Sequence, residues 1–211
     1  DSHDFTFGWS LNVGMKASSG RFAAIVSAHM LPLDGGWLSA LVEPLHDEVT
    51  AMSYGRQLGL LDSKFSELRD LDRMFGRQRH VLRGPAFFAN NANSAVRMDL
   101  WQQHPFDGTL PGLEDIEWAK HWMEKGLDIA YEPEAPLYHI HEETWRQVRH
   151  RFYREAVAAR RIGNENPMRV PSHAYLTADG HWLTIQVNSQ RHWAPFCRAL
   201  LICASLARAA G

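Results

Sequence analysis

The stretch Gly20-Arg21-Phe22-Ala23-Ala24-Ile25-Val26-Ser27-Ala28-His29 decides the class of fold. Phe22 to Val26 is a short, uninterrupted apolar run, which suits a strand buried on both faces. Gly20 terminates the element before it, Ser10 to Ser19, where Leu11, Gly14, Met15 and Ser18 fall on one side of a helix. His29 to Pro32 reads as the loop after the strand. Trp37 to Leu45 reads as a second helix, with Trp37, Leu38, Leu41, Val42 and Leu45 along one stripe. Val49 to Tyr54 reads as a second strand, followed by Gly55-Arg56-Gln57. Helix, strand, helix, strand in this order is the signature of an α/β layer whose central strands are parallel.

Farther along, Ser63 to Phe75 is charged and amphipathic, a surface helix or a loop. Ala86 to Ala89 and Ser94 to Val96 look like short strands on either side of an Asn cluster. Leu100-Trp101 starts a short helix that Pro105 ends. Leu113 to Lys125 is a helix closed by Gly126, and Ile129 to Tyr131 and Leu137 to His139 are short strands. Thr144 to Ile162 is a long basic helix. Beyond it the composition changes, with Pro167, Pro171, Asp179-Gly180 and a strand from Trp182 to Val187. The boundary falls near Gly163, giving an α/β domain over 1–163 and a C-terminal extension over 164–211. The tail 193–210 reads as an amphipathic helix that packs on the domain or lies on a membrane surface.

Composition narrows the class. The chain has 211 residues, 45% of them hydrophobic, enough for a sizeable core. A formal charge of −2 gives no electrostatic footprint for nucleic acid. The two cysteines, Cys197 and Cys203, lack zinc-site spacing and a disulfide framework, so a reducing compartment is expected. No signal peptide is visible, and no apolar run approaches the ~20 residues of a spanning helix. The expected location is cytoplasmic, at the inner face of a membrane if 144–162 or 193–210 touches lipid. The N-terminus, Asp1-Ser2-His3-Asp4, begins mid-motif, as a piece of a longer protein would.

Chemistry concentrates in three places. Gly112-Leu113-Glu114-Asp115-Ile116-Glu117 opens a helix with adjacent carboxylates. Acids are favoured there by the helix macrodipole and free N–H groups, and equally a carboxylate so placed can serve as a general base. Adjacent carboxylates repel, so one of them is expected to have a raised pKa. Asn90-Asn91-Ala92-Asn93-Ser94 suits a tight turn, and Asn91 and Asn93 also supply the donors and acceptors that sugar hydroxyls need. His29 stands where a buried strand meets a loop, the place where open α/β sheets bind ligands. His139 and His141 would share one face of a strand, two ligands or a ligand and its neighbour. Arg97 is a candidate partner for a phosphate, and Trp118 for a sugar ring, although such tryptophans are commonly core.

At these residues the chain resembles the family 2 glycosyltransferases of the GT-A fold, close to the rhamnosyltransferase-like members. The resemblance runs from about Phe5 to Ile162. It is carried by Phe7-Gly8-Trp9-Ser10-Leu11-Asn12-Val13-Gly14, by Gly20 through Pro32 with Trp37-Leu38, by Asn91 through Arg97, by Phe106-Asp107 through Ala119, and by Tyr131-Glu132-Pro133 with His139-Ile140-His141. It implies a mixed sheet flanked by helices, with the first strands of that fold lying upstream of Asp1. It also implies an inverting transferase that moves a sugar from a nucleotide-sugar donor to a glycan or lipid-linked acceptor, in cell-surface polysaccharide or glycolipid synthesis.

Under that resemblance Asp115 deprotonates the acceptor hydroxyl, Glu114 helps hold the acceptor, and Asn91, Asn93, Arg97 and Trp118 line the donor and acceptor sites. A divalent metal, Mg2+ or Mn2+, sits on the diphosphate with His29 and His139 as ligands. One departure matters. Where the family has Asp-x-Asp, this chain has Ser27-Ala28-His29, so both carboxylate positions are lost. That loss leaves open a non-catalytic glycan-binding module or pseudoenzyme on the same fold. A metal-dependent hydrolase using His29, His139 and His141 is a third reading, and its spacing lacks a zinc-hydrolase signature.

Overall fold

The computed structural model describes residues 5–60, 65–85, 87–140, 144–163, 172–176 and 182–186. The chain divides into two compact units, Asp1–Gly163 and Asn164–Gly211. In the first, helix α1 (Phe7–Ala17) starts three residues before the expected position, because Thr6 caps it: its Oγ1 accepts the Trp9 N–H at 3.1 Å. Strand β1 (Phe22–Val26) follows where expected, then a short strand β2 (Met30–Pro32) where a loop was expected. Helix α2 (Trp37–Val42) is shorter than its apolar stripe, since Pro44 converts the continuation, Glu43–His46, into a 3-10 turn. Strand β3 (Thr50–Leu58), helix α3 (Phe65–Met74) and strand β4 (His80–Leu82) come next. Residues 87–90 are irregular rather than a strand. Strand β5 (Asn93–Arg97), helices α4 (Met98–Gln103) and α5 (Glu114–Glu124), strand β6 (Asp128–His139) and helix α6 (Trp145–Arg161) complete the unit.

The sheet order is β1-β5-β3-β6-β2, with β4 also on β6. Strand β6 is one 12-residue strand rather than two short ones. Its first part takes β4 and its last part β2, and Pro133 and Pro136 lie between. Strands β3 and β6 are parallel, while β5 runs antiparallel to both β1 and β3. Strands β1, β3 and β6 therefore all end at one edge of the sheet, the edge where β5 begins. This is a mixed sheet with a parallel central pair.

Burial explains the order. The sheet carries a core on each face. Met52 and Tyr54 pack with Val96, Ile129 and Tyr131 against Trp101, Trp118 and Trp122 of the following helices. On the other face Leu41 and Leu45 cover Ala95 and Ala135. Strand β1 differs from its expectation: Ala23 and Ile25 are buried, but Ala24 is exposed and Val26 is 40% exposed. An apolar run cannot distinguish a central strand from an edge strand, and β1 is at the edge. Asn12 of α1 braces the segment leading to α5. Its Oδ1 accepts from Trp101 Nε1 at 2.9 Å and the Phe106 N–H at 3.1 Å, and its Nδ2 donates to the Phe106 carbonyl at 2.7 Å.

The basic helix α6 starts at a capping box between Thr144 and Gln147. It buries Ala158 and Ala159, with Ile162 just beyond its end, against Leu110, Leu113 and Ile116. No helix among the described residues is long and apolar enough to cross a membrane. In the second unit, strands β7 (Ser172–Leu176) and β8 (Trp182–Gln186) form an antiparallel pair. The tail 193–210 lies outside the described residues.

Candidate active site

Two pairs of side chains, one acidic and one of imidazoles, stand at the edge where β1, β3 and β6 end. The carboxylates are placed by the entry to α5. Leu113 adopts a left-handed conformation, φ 60°, which costs a residue with a Cβ about 1–2 kcal/mol. Its side chain is held in the cluster with Leu110, Ile116 and Ile162. The turn lets the helix begin at Glu114, so that Glu114, Asp115 and Glu117 occupy the first turn, where the macrodipole favours negative charge.

The Asn turn grips both acids. The Asn91 backbone N–H donates to Asp115 Oδ2 at 3.0 Å, and the Ile116 N–H donates to Asp115 Oδ1 at 2.8 Å. Asn91 Nδ2 lies 3.4 Å from Glu114 Oε1, and Ser94 Oγ donates to Asn91 Oδ1 at 3.0 Å. Glu114, Asp115 and Asn91 are 7%, 9% and 8% exposed, so little solvent screens the two charges from each other. Burial first, and the neighbouring Asp115 charge second, push the Glu114 carboxyl up to about 7. Each Asp115 oxygen accepts from a backbone N–H, which fixes the orientation of the carboxylate.

The imidazoles meet across the β2–β6 pair. Met30 is in register with His139, and the Ile140 N–H donates to the His29 carbonyl at 3.1 Å. His29 Nε2 and His139 Nε2 are 3.0 Å apart, with rings 5.0 Å between centroids. Buried Gln57, 1% exposed near the end of β3, presents Oε1 to His139 Nδ1 at 2.7 Å. In the tautomer with the proton on Nδ1, that nitrogen donates to Gln57 Oε1 and Nε2 of His139 accepts from Nε2 of His29. The His29 loop is tied to the Asn turn, since the Ser27 N–H donates to the Ala92 carbonyl at 3.1 Å.

A divalent metal is what the fold and the sequence resemblance lead one to expect here, and the donors fit one in part. Two imidazole nitrogens converge, one with its outer nitrogen fixed, which is how histidine ligands are normally held. Among the described residues no group of three or more His, Cys, Asp or Glu side chains gathers as a metal cage. His141 lies outside the described residues.

The remaining candidates separate from this edge. Asn93 is fully buried and fully used: Oδ1 accepts from Trp37 Nε1 at 3.0 Å, and Nδ2 donates to the carbonyls of Ala135 at 2.9 Å and Arg56 at 3.2 Å. It is a cross-strand bracket, not a sugar-facing amide. Gly55 makes that bracket possible, because a Cβ there would collide with the Asn93 side chain and the Ala135 carbonyl. Arg97 lies at the other end of β5, roughly 13 Å along the strand. There it clasps Asp99 through Nε and Nη2 at 3.1 and 2.7 Å, and donates to the Glu48 carbonyl at 2.6 Å. Trp118 is fully buried, with Nε1 donating to the His104 carbonyl at 2.7 Å, so it is core and offers no face to a sugar. Gln57 is the residue that sequence reasoning missed. Its only signal is a polar residue two positions past Gly55 at the end of an apolar strand.

With this geometry in view, the fold is the GT-A fold of nucleotide-sugar transferases. The chain is similar to the mannosyltransferase PcManGT of Pyrobaculum calidifontis, solved with GDP-Man and Mn2+, at 15% identity and a TM-score of 0.51 over 72% of this chain. It is also similar to a mycobacterial protein, at 16% identity and a TM-score of 0.52 over 88% of this chain. GalNAc-T7, solved with UDP, GalNAc and Mn2+, matches at 15% identity and a TM-score of 0.48 over 64% of this chain. The chain spans 43%, 62% and 30% of these three structures. A sequence profile of CoA-transferase family III matches residues 132–208, well under half of the chain, and includes neither the carboxylates nor His29. No curated protein matches the chain.

Proposed function

We propose that the unit up to Gly163 is a glycosyltransferase domain of family 2 type. It would move a sugar, with inversion, from a nucleotide-sugar donor to a hydroxyl of a glycan or lipid-linked acceptor, in cell-surface polysaccharide or glycolipid synthesis. The observation that carries this reading is Asp115, nine-tenths buried at the ligand-binding edge of a GT-A sheet and aimed by two backbone N–H donors.

In this reading Asp115 takes the proton from the acceptor hydroxyl. The freed oxygen forms a bond to the anomeric carbon, and the bond from that carbon to the diphosphate oxygen breaks. The electron pair leaves with the nucleoside diphosphate. Attack from the face opposite the leaving group inverts the configuration. A positioned base of this kind contributes roughly 10²–10⁴-fold. Glu114, titrating near neutrality, sets the local charge and holds the acceptor: protonated, it donates to a hydroxyl; ionised, it accepts from one. Asn91 fixes both acids against each other. His29 and His139 would hold a divalent ion, whose contribution when bound is to offset the charge of the diphosphate.

A pseudoenzyme on the same fold is the second reading, favoured by Ser27-Ala28-His29 in place of two carboxylates. The two separate in an assay of nucleotide release from UDP-, GDP- and dTDP-sugars with Mg2+ or Mn2+. Release from one donor, removed by Asp115→Asn, supports the transferase. Glycan binding that survives Asp115→Asn, with no release, supports the pseudoenzyme.

A further inference from the structure

We infer that the solvent face of α6 is a docking surface for an anionic lipid bilayer. This surface is separate from the edge that holds Asp115, and its role is independent of the transferase reading.

Arg146, Arg149, His150, Tyr153 and Arg160 are all exposed. On a helix they fall within an arc of about 100°, along about 21 Å of its length. The single acid of α6, Glu155, lies on the opposite side, where it pairs with Arg151 at 3.8 Å. Ala158 and Ala159 are on that side too, packed with Leu110, Leu113 and Ile116. The packing of α6 therefore sorts its charges, with the acid turned toward the domain and a row of arginines toward solvent. Arg161 is not part of the row, since its Nη1 donates to the Thr109 carbonyl at 3.1 Å. The whole chain has a formal charge of −2, so attraction to an anionic surface belongs to this face and not to the protein at large.

Exposed aromatic rings identify the partner. Tyr153 stands in the middle of the row and is 67% exposed. On the flank of the row, the Arg154 guanidinium lies 5.2 Å from the centre of the Phe7 ring, and Phe5 meets that ring edge-on at 5.7 Å. Phe5 and Phe7 are exposed as well, so three rings interrupt or border the cations. A soluble polysaccharide polyanion is held by the cations alone. Rings and arginines together suit the boundary between lipid headgroups and acyl chains. There the apolar body of an aromatic ring enters the bilayer, while an arginine lays its stem along apolar surface and keeps its charge at the phosphates. Each arginine beside an anionic leaflet is worth about five-fold in affinity.

The test is co-sedimentation of the untagged full chain with vesicles of phosphatidylcholine alone and of phosphatidylcholine with phosphatidylglycerol at about 3:1. The expected result is binding to the mixed vesicles in about 0.1 M salt, little binding to the neutral ones, and loss of binding in about 1 M salt, where screening cuts the reach of the charges from about 10 Å to about 3 Å. Arg146→Gln, Arg149→Gln and Arg160→Gln together should weaken binding by about 100-fold. Gln forms helix about as well as Arg, so far-UV circular dichroism of this triple variant should match wild type. Tyr153→Ser should weaken binding several-fold. Equal binding to neutral and mixed vesicles, or no vesicle binding by the folded chain, overturns the proposal. So does mixed-vesicle binding that is unchanged in the folded triple variant. Retention on heparin or on an oligonucleotide, with no binding to vesicles, assigns the row to a soluble polyanion and overturns it too. The assay contains no sugar nucleotide, so its result stands apart from that of the transferase reading.

Discussion

The acidic pair and the imidazole pair share one edge of one sheet, yet they are built differently. Glu114 and Asp115 are buried and cross-braced by the backbone and side chain of Asn91, from a turn more than twenty residues upstream. His29 is exposed and His139 half-buried; they contact each other, and His139 also contacts the buried amide of Gln57. The difference teaches where chemistry is set by the fold and where it is left to a ligand. Burial, with the neighbouring Asp115 charge, moves the Glu114 carboxyl toward neutrality, whereas the imidazoles stand nearer the solvent.

The comparison breaks first at Asp115. Asp115→Asn is expected to lower transfer by about 10²–10⁴-fold while leaving far-UV circular dichroism near wild type, with stability lowered by about 1–3 kcal/mol because the amide nitrogen cannot accept one of the two backbone N–H bonds. Near-wild-type transfer would remove Asp115 from the base role.

Glu114 sharpens the comparison through pH. Its folded pKa is raised above the ordinary glutamate value, so its contribution to stability is fully present at pH values below the unfolded pKa, near 4.3, and is lost as pH rises through about 7. Relative to wild type, Glu114→Gln should therefore gain stability between pH 4 and pH 8, by an amount on the order of 3 kcal/mol. Urea unfolding of both proteins across that range measures the gain. A difference that does not change with pH would mean that Glu114 ionises as an ordinary surface acid does.

Asn93 tests the boundary between site and scaffold. Asn93→Ala strands Trp37 Nε1 and the carbonyls of Arg56 and Ala135 in the interior, and should cost about 2–3 kcal/mol of stability. Loss of transfer with unchanged stability would return Asn93 to the sugar site. The smallest effect belongs to Arg97, whose clasp on Asp99 is at the surface. Arg97→Ala should change stability by less than about 1 kcal/mol and leave donor affinity unchanged. A several-fold rise in donor KM would contradict its placement at the far end of β5.

Much of this architecture is legible in the chain. The Phe22–Val26 run, the α5 stripe closed by Gly126 and the Thr144 start of α6 all have local causes, an apolar period or a cap, and the structure places them within a residue or so. The candidates His29 and His139 are 110 positions apart in sequence and 3.0 Å apart in space. No periodicity predicts that meeting, and the resemblance supplied it. What was not legible depends on tertiary context. Trp118 and Asn93 have the side chains of a sugar site, but position on the sheet and on α5 commits both to the interior. The apolar residues of β1 say nothing about which strands flank them, and strand β6 continues through two prolines because β4, β3 and β2 supply its neighbours. Gln57 acquires meaning only once β3 and β6 are seen to be parallel and in register.

The central claim is tested most directly by nucleotide release from a panel of sugar nucleotides, measured with Mg2+, Mn2+ and Zn2+ on wild type and Asp115→Asn in parallel. The account predicts release from one donor in wild type and its loss in Asp115→Asn. Release that persists undiminished in Asp115→Asn, or no release from any donor by the folded protein with its glycan acceptors supplied, would contradict it.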